Sequence, residues 1–213
     1  MPPAYISHRL SIRWIPEEAR EPTNTVVLTG ARTGVFLDVR FLKDNKNLDW
    51  AFAGYRYTDP NVPDAAKFKH HIDSRTDSDD VEDGGIFTKL PDGTTLEVGE
   101  MMNPQSGRIA PYEELWRDDE AEVTDTVLFV KNMEGTTWRA YVGTWQLALG
   151  RGKDGRFWAW QAERCGEDWK TRALTQDGIM KLLPTEDQEL ATWVEGATVK
   201  WNAEEWIVLQ RAM

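Results

Sequence analysis

Val35-Phe36-Leu37-Asp38-Val39-Arg40-Phe41-Leu42 alternates without a break. Val35, Leu37, Val39 and Phe41 form one set, and Phe36, Asp38, Arg40 and Leu42 the other. Successive side chains of a strand point to opposite faces, so a period of two predicts a strand with one wholly apolar face. The pattern recurs along the chain. Leu48, Trp50 and Phe52 alternate with Asp49, Ala51 and Ala53, and Trp158 and Trp160 with Phe157, Ala159 and Gln161. Turn signals separate the runs: Ala31-Arg32-Thr33-Gly34, Pro91-Asp92-Gly93, Asn103-Pro104-Gln105-Ser106-Gly107 and Lys153-Asp154-Gly155. Many short strands punctuated in this way predict an all-β sandwich or barrel. Helical signals are confined to Asp177–Leu183 and to the capping-box spacing Thr185…Gln188.

The two halves of the chain echo one another. Each opens on an apolar run, Thr25-Val26-Val27-Leu28 and Thr126-Val127-Leu128-Phe129. The first half closes on Glu97-Val98-Gly99 and Tyr112-Glu113-Glu114-Leu115-Trp116, the second on Val194-Glu195-Gly196 and Trp201-Asn202-Ala203-Glu204-Glu205-Trp206. Such a repeat indicates one architecture used twice. A length of 213 residues accommodates two domains, and charge-rich Arg117–Glu122 marks a boundary between residues 1–118 and 124–213. Each antiparallel meander must hide its edge strands, and closure into a barrel does so. The expectation is two antiparallel β-barrels in tandem with minor short helices. An eight-stranded barrel is filled by side chains or holds one small ligand.

Lys and Arg number 25 against 36 Asp and Glu, a net charge of -11. Such a chain repels phosphate backbones and anionic lipid, so neither nucleic acid nor a membrane surface is an expected partner. Cys165 is the single cysteine and suits a reducing compartment. Met1–Arg9 lacks the basic-then-apolar pattern of a signal peptide, and no apolar run nears the roughly 20 residues that span a bilayer. The expected location is cytoplasmic, with the nucleus open to it.

His70-His71-Ile72-Asp73-Ser74-Arg75 is the richest chemical cluster. On a regular strand His71, Asp73 and Arg75 share one face, and His70, Ile72 and Ser74 the other. The plain reading is an Asp73–Arg75 surface ion pair with one His packed inward. In the functional reading His70 or His71 acts as acid or base in a pocket, with one Arg, Arg75 or Arg40, for a developing oxyanion. His70, His71, Asp73 and Arg75 are therefore the catalytic candidates. With three His and one Cys, no metal site is expected. For Asp38 and Arg40, the more apolar face is taken as inward, which leaves them exposed. Turned inward, they would need to pair or to meet a polar ligand. Eight of the 11 Trp follow residue 130. They supply either an aromatic core or a pocket for a flat, apolar ligand. Arg40, Asp49, Trp50, Trp145, Trp158 and Trp160 are the ligand-binding candidates.

Other motifs read plainly. Gly150-Arg151-Gly152-Lys153-Asp154-Gly155 matches a dinucleotide fingerprint, but a strand follows it where a helix is required, so it is a hairpin loop. Glu113-Glu114 and Glu204-Glu205 sit at echoing places and read as scaffold. Asp77–Asp83 fails the calcium-loop pattern at Val81, and Thr76 and Ser78 lie among acids as an acidophilic kinase prefers. Cys165 precedes Gly-Glu-Asp, a setting that disfavours a thiolate. No motif calls for a cofactor, and none is expected.

Thr25–Gly30, Leu48-Asp49-Trp50-Ala51-Phe52-Ala53-Gly54, His71–Arg75, Met102–Gly107 and Tyr112–Arg117, in this order, resemble the fungal Hri family, named for a yeast protein that interacts with a casein kinase I. The resemblance is close over roughly 8–117 and rests on strand rhythm and closing pattern over 125–213. It implies two lipocalin-like (calycin-type) barrels, a cytosolic and nuclear location, and no established enzymatic activity. It supplies no catalytic residues to carry over. The Trp-rich second half departs from the family pattern and leaves room for a ligand of its own. Two functions are expected. One is a barrel that binds an apolar small molecule, such as a polyketide- or terpene-derived fungal secondary metabolite, with cofactor-free isomerase, cyclase or lyase activity if it is catalytic. The other is a non-catalytic interaction module whose partner is a protein kinase.

Overall fold

A computed structural model describes residues 2–78, 80–176, 178, 180–185 and 190–212. Its fifteen regular elements among those residues are all strands. The first eight are β1 (Ala4–Trp14), β2 (Thr23–Gly30), β3 (Val35–Leu42), β4 (Leu48–Asp59), β5 (Val62–Asp73), β6 (Glu82–Lys89), β7 (Thr95–Asn103) and β8 (Arg108–Glu120). They close into an antiparallel barrel, with β1 paired to both β2 and β8. The remainder are β9 (Val127–Asn132), β10 (Thr137–Val142), β11 (Trp145–Arg151), β12 (Phe157–Cys165), β13 (Asp168–Leu174), β14 (Thr198–Trp201) and β15 (Glu204–Ala212). Among the described residues these form a seven-stranded sheet in the order β13-β12-β11-β10-β9-β15-β14, which is not closed. Of the two tandem barrels expected, the all-β fold and the first closed barrel are present, and the second unit is an open sheet among the described residues.

The reason lies in what covers the second sheet. Leu128, Val130, Tyr141, Trp206 and Val208 on one of its faces are packed by Leu183, Leu190 and Trp193, from the segment between β13 and β14. Arg139 Nη1 donates to the Lys181 carbonyl at 2.6 Å, and the Leu183 amide donates to Gln146 Oε1 at 2.7 Å, which pins that segment in place. The chain thus covers this face with its own backbone. The short helix expected at 177–183 is irregular at its described residues 178 and 180–183, and the one expected from Thr185 runs into 186–189, outside the described residues. Gly150–Gly155 turns from β11 to β12, with the Gly152 amide on the Arg156 carbonyl at 2.8 Å, as expected of a hairpin. No helix among the described residues is long and apolar enough to cross a membrane.

The other face of the sheet lies against the barrel. Val26, Leu28, Val35, Leu37, Val39, Phe41, Ala51 and Ala53 form one buried cluster with Val127, Phe129, Trp138, Ala140, Leu147, Leu149 and Ala159. The apolar face of β3 thus points out of the barrel and is covered by the sheet. This reverses the assignment of Asp38 and Arg40 to an exposed face: they point into the barrel and are 3 % and 6 % exposed. Polar latches border the seam. Gln161 Nε2 donates to the Val39 carbonyl at 2.7 Å, Gln210 Nε2 to the Pro3 carbonyl at 2.8 Å, and Arg151 Nη2 to the Asp73 carbonyl at 2.7 Å.

One core shared by both units predicts that they unfold together. Truncation of a fully buried core leucine costs ~2–5 kcal/mol. Leu37→Ala should lower the stability of the whole chain by that amount, in a single calorimetric transition. Two separate transitions, with only one displaced, would show that the seam does not couple them.

Candidate functional site

The barrel encloses a cavity of about 690 Å³. Its aromatic wall includes Phe36, Trp50, Phe52, Phe68, Phe87 and Trp116, and Val27 and Met101 also line it. Its mouth lies at the β2–β3 turn, residues 30–34, with Thr58, Lys89, Asp118 and Glu120 around it. Gly34 makes that turn possible. Its φ is +71°, and a Cβ there would meet the Arg56 carbonyl oxygen at 2.1 Å. The opposite end is packed by Ile12, Trp14 and Tyr112.

The floor is charged. Arg40 grips Asp38 through Nε at 3.0 Å and Nη2 at 2.7 Å, and its Nη1 lies 3.3 Å from Glu114 Oε1. Arg9 donates to the same Glu114 oxygen, to Thr23, and to Glu21 at 2.8 Å. The Arg40 guanidinium also lies 4.9 Å from the centre of the Trp50 ring. Burial opposes the charge on Arg40, but Asp38 and Glu114 outweigh it and hold the guanidinium well above its ordinary pKa. Burial raises Asp38, with Arg40 offsetting it only in part.

On β7, opposite Glu114, Glu97 accepts from Tyr112 Oη at 2.7 Å and from Trp116 Nε1 at 2.9 Å. Burial, reinforced by the charge on Glu114, pushes the Glu97 carboxyl up to about 8. Glu97 is therefore mainly neutral at pH 7. The Tyr112 hydroxyl is pushed up by burial and by the same two carboxyls.

The His70 cluster lies behind this wall. Its Nδ1 is 2.7 Å from Asp73 Oδ2, and its ring stacks on Phe52 at 4.2 Å between centroids. Asp73 Oδ1 also accepts from Trp50 Nε1 at 2.9 Å and from the Arg75 amide at 2.8 Å. The other imidazole nitrogen, Nε2, faces Asp83 Oδ2 at 3.5 Å. Burial disfavours the imidazolium, but Asp73 and then Asp83 outweigh it and raise His70 to about 9. His70 is cationic at pH 7, which suits an ion pair better than a general base.

The two histidines are separated by a bulge. Gly54 pairs with His70 and Ala53 with Ile72, so His71 has no opposite residue. A Cβ on Gly54 would lie 1.8 Å from the Lys69 carbonyl oxygen, so the bulge needs glycine there. The extra residue changes the face. His70 and Asp73 come to share one environment, whereas His71 meets Tyr55 and Trp138 near the seam. The regular-strand pairing of His71 with Asp73 is thereby corrected. Arg75 lies over the Trp50 ring at 4.3 Å and reaches Asp49 at 3.3 Å, rather than Asp73.

Of the ligand-binding candidates, Arg40 and Trp50 line the cavity, whereas Asp49 is not among its lining residues and pairs with Arg75. Trp145, Trp158 and Trp160 belong to the second sheet and are not among its lining residues. Trp160 is fully buried, Trp145 packs edge-on to His8, and Trp158 flanks a shallow recess at the Gly152–Arg156 hairpin. The cavity groups overlooked in the sequence are Arg56, Glu97, Tyr112, Glu114 and Trp116, and Arg9 was overlooked as the partner of Glu114. Period two carried a signal for three of them, since Tyr112, Glu114 and Trp116 share one face of β8.

Two consequences can be measured. The folded pKa of His70 lies above its unfolded 6.5, so its stabilisation is complete below about 6.5 and is lost as pH rises through about 9. Glu97 shifts from 4.5 to about 8, and its contribution has the same sign, declining from about 4.5 to 8. Urea midpoints should therefore fall between pH 6.5 and 9, and Glu97→Gln should flatten the part below pH 8. A flat wild-type profile would count against both shifts. Separately, Arg40→Met leaves Asp38 without its guanidinium and deprives Glu114 of one of two, which should cost ~3–5 kcal/mol by chemical denaturation.

A family model described as Protein HRI1 matches residues 5–210, and so spans both the barrel and the second sheet. No curated protein and no solved structure matches the chain.

Proposed function

The chain belongs to the HRI1 family, and from that premise we propose that it is a small-molecule-binding protein whose ligand occupies the β1–β8 barrel. The cavity carries the reading. Its volume lies within the roughly 300–1,000 Å³ of ligand sites, and polar groups converge on aromatic walls. Aromatic walls and a largely paired floor fit an apolar molecule with few polar groups, such as a polyketide- or terpene-derived metabolite. The seven-stranded sheet, covered by its own chain, acts as a brace. A cytoplasmic or nuclear setting belongs to the same reading, supported by the lone Cys165.

Glu97 favours a catalytic extension. A carboxyl held neutral at pH 7 beside the Tyr112 hydroxyl is a general acid on the cavity wall. Cofactor-free isomerase, cyclase or lyase chemistry would use it to protonate a bound ligand. His70–Asp73, behind Phe52, would then set the field of the site rather than touch the ligand. The competing role, a protein-kinase partner, does not call for a hollow barrel.

The test is native mass spectrometry of the chain purified from its own host. A co-purifying small molecule is expected. Val27→Trp, which fills the cavity from a small lining position, should release it while near-ultraviolet circular dichroism stays native. Wild-type protein that is free of ligand and retains a kinase at stoichiometric yield would overturn the reading.

A further inference from the structure

The geometry points to an amphipathic monocarboxylate as the ligand, its carboxylate held by Arg56 near the mouth and its apolar body running inward. This deepens the small-molecule reading and rests on it. Four cationic side chains line the cavity: Arg32, Arg40, Arg56 and Lys89. Three have acidic partners. Arg40 is held by Asp38 and Glu114, Arg32 pairs with Glu195 of the second half, and Lys89 lies 3.8 Å from Asp118. Arg56 makes no hydrogen bond or ion pair with its side chain among the described residues, although it is only partly exposed.

The surroundings of Arg56 suit an incoming carboxylate. Its guanidinium lies 5.7 Å from the centre of the Phe87 ring. Its backbone amide donates to the Gly34 carbonyl, which fixes the residue beside the mouth turn. The nearest lining acids are otherwise occupied. Asp118 accepts from Ser7 at 2.7 Å and Thr95 at 2.6 Å, and Glu97 from Tyr112 and Trp116. Burial lowers the Arg56 pKa from its ordinary value, and the charges of Glu97, Tyr5 and Asp118 offset it only in part. A guanidinium presents paired donors that match a carboxylate in a bidentate fork. Phe36, Phe68 and Trp116 then line the path of the apolar body. One guanidinium without an ion-pair partner matches a single carboxylate, and Asp118 and Glu120 close by limit the negative charge a ligand can bring. A polyphosphate would add uncompensated charge, and a cationic ligand would meet Arg56 head-on.

The probes are cis-parinaric acid and its methyl ester, titrated into the whole chain, with energy transfer from tryptophan to the polyene as the readout. The acid should bind at least tenfold more tightly than the ester. Arg56→Gln should bring the two to equal affinity, Arg56→Lys should retain part of the preference, and Arg56→Glu should favour dodecylamine as a competitor over laurate. Near-ultraviolet circular dichroism checks that each variant is folded. Equal affinity of the wild type for acid and ester would overturn the carboxylate assignment and leave the cavity reading standing. An acid preference that survives Arg56→Gln would overturn the role of Arg56. Binding of neither probe by the wild type would overturn the monocarboxylate, and the native mass spectrum would then decide separately whether the cavity holds any other ligand.

Discussion

The apolar seam between the barrel and the second sheet decides which way every strand of β2–β4 faces. Leu37, Val39 and Phe41 meet Phe129, Trp138, Leu147 and Leu149 there, all fully buried. Burial of such side chains supplies about 1.5–3 kcal/mol each, before the entropy of ordering them. With the outer faces of these strands committed to the seam, the inner faces need not furnish the main apolar core. The seam thus takes over part of the burial that the interior of an isolated barrel would supply. Here the interior is free to carry Asp38, Arg40, Glu97 and Glu114, and to remain hollow above them.

The buried charges constrain shape as much as energy. Arg9 on β1, Glu21 in the connection to β2, Arg40 and Asp38 on β3, and Glu114 on β8 form one chain of contacts. Desolvation makes such a network a poor source of net stability. Its geometry is nonetheless demanding, since each guanidinium has to reach two carboxylates. That requirement fixes the spacing of β1, β3 and β8 at the floor. The neutral Glu97 fits the same logic. An ionised carboxyl there would add another negative charge to a site where three carboxylates already face two guanidiniums, so burial and Glu114 together keep its proton on.

The alternation of Val35–Leu42 made the strand legible, but not its orientation. Inward and outward are set by β9–β12, about 100 residues downstream in the chain, and no local pattern reveals a covered outer face. The His70–Arg75 cluster was legible as a place where polar groups gather. Its geometry was hidden by one bulged residue, because a shift of one exchanges the faces of everything that follows. The glycine that admits the bulge, Gly54, lies on the partner strand. The tryptophan excess was visible, yet its meaning was not. Trp138, Trp160 and Trp206 are fully buried, and Arg139 lies within 6 Å of the rings of Trp158, Trp160, Trp201 and Trp206.

The echo between the halves conceals an asymmetry of use. In the first half the repeated closure faces the cavity: Glu97, Tyr112, Glu114 and Trp116 line it. In the second half Glu204 and Glu205 are exposed, Trp206 is sealed under Leu183, Leu190 and Trp193, and Glu195 reaches out to Arg32 at the barrel mouth. The same pattern therefore builds a hollow in one half and a filled brace in the other. What separates them is the segment between β13 and β14, which the second half lays over the face that its counterpart leaves open. Chemistry can then concentrate in the barrel, while the sheet contributes support and, through Glu195, one charge at the entrance. That charge also distinguishes Arg32 from Arg56, the other arginine near the mouth. The Arg32 guanidinium is already engaged by a carboxylate, so a ligand would have to displace Glu195 before it could bind.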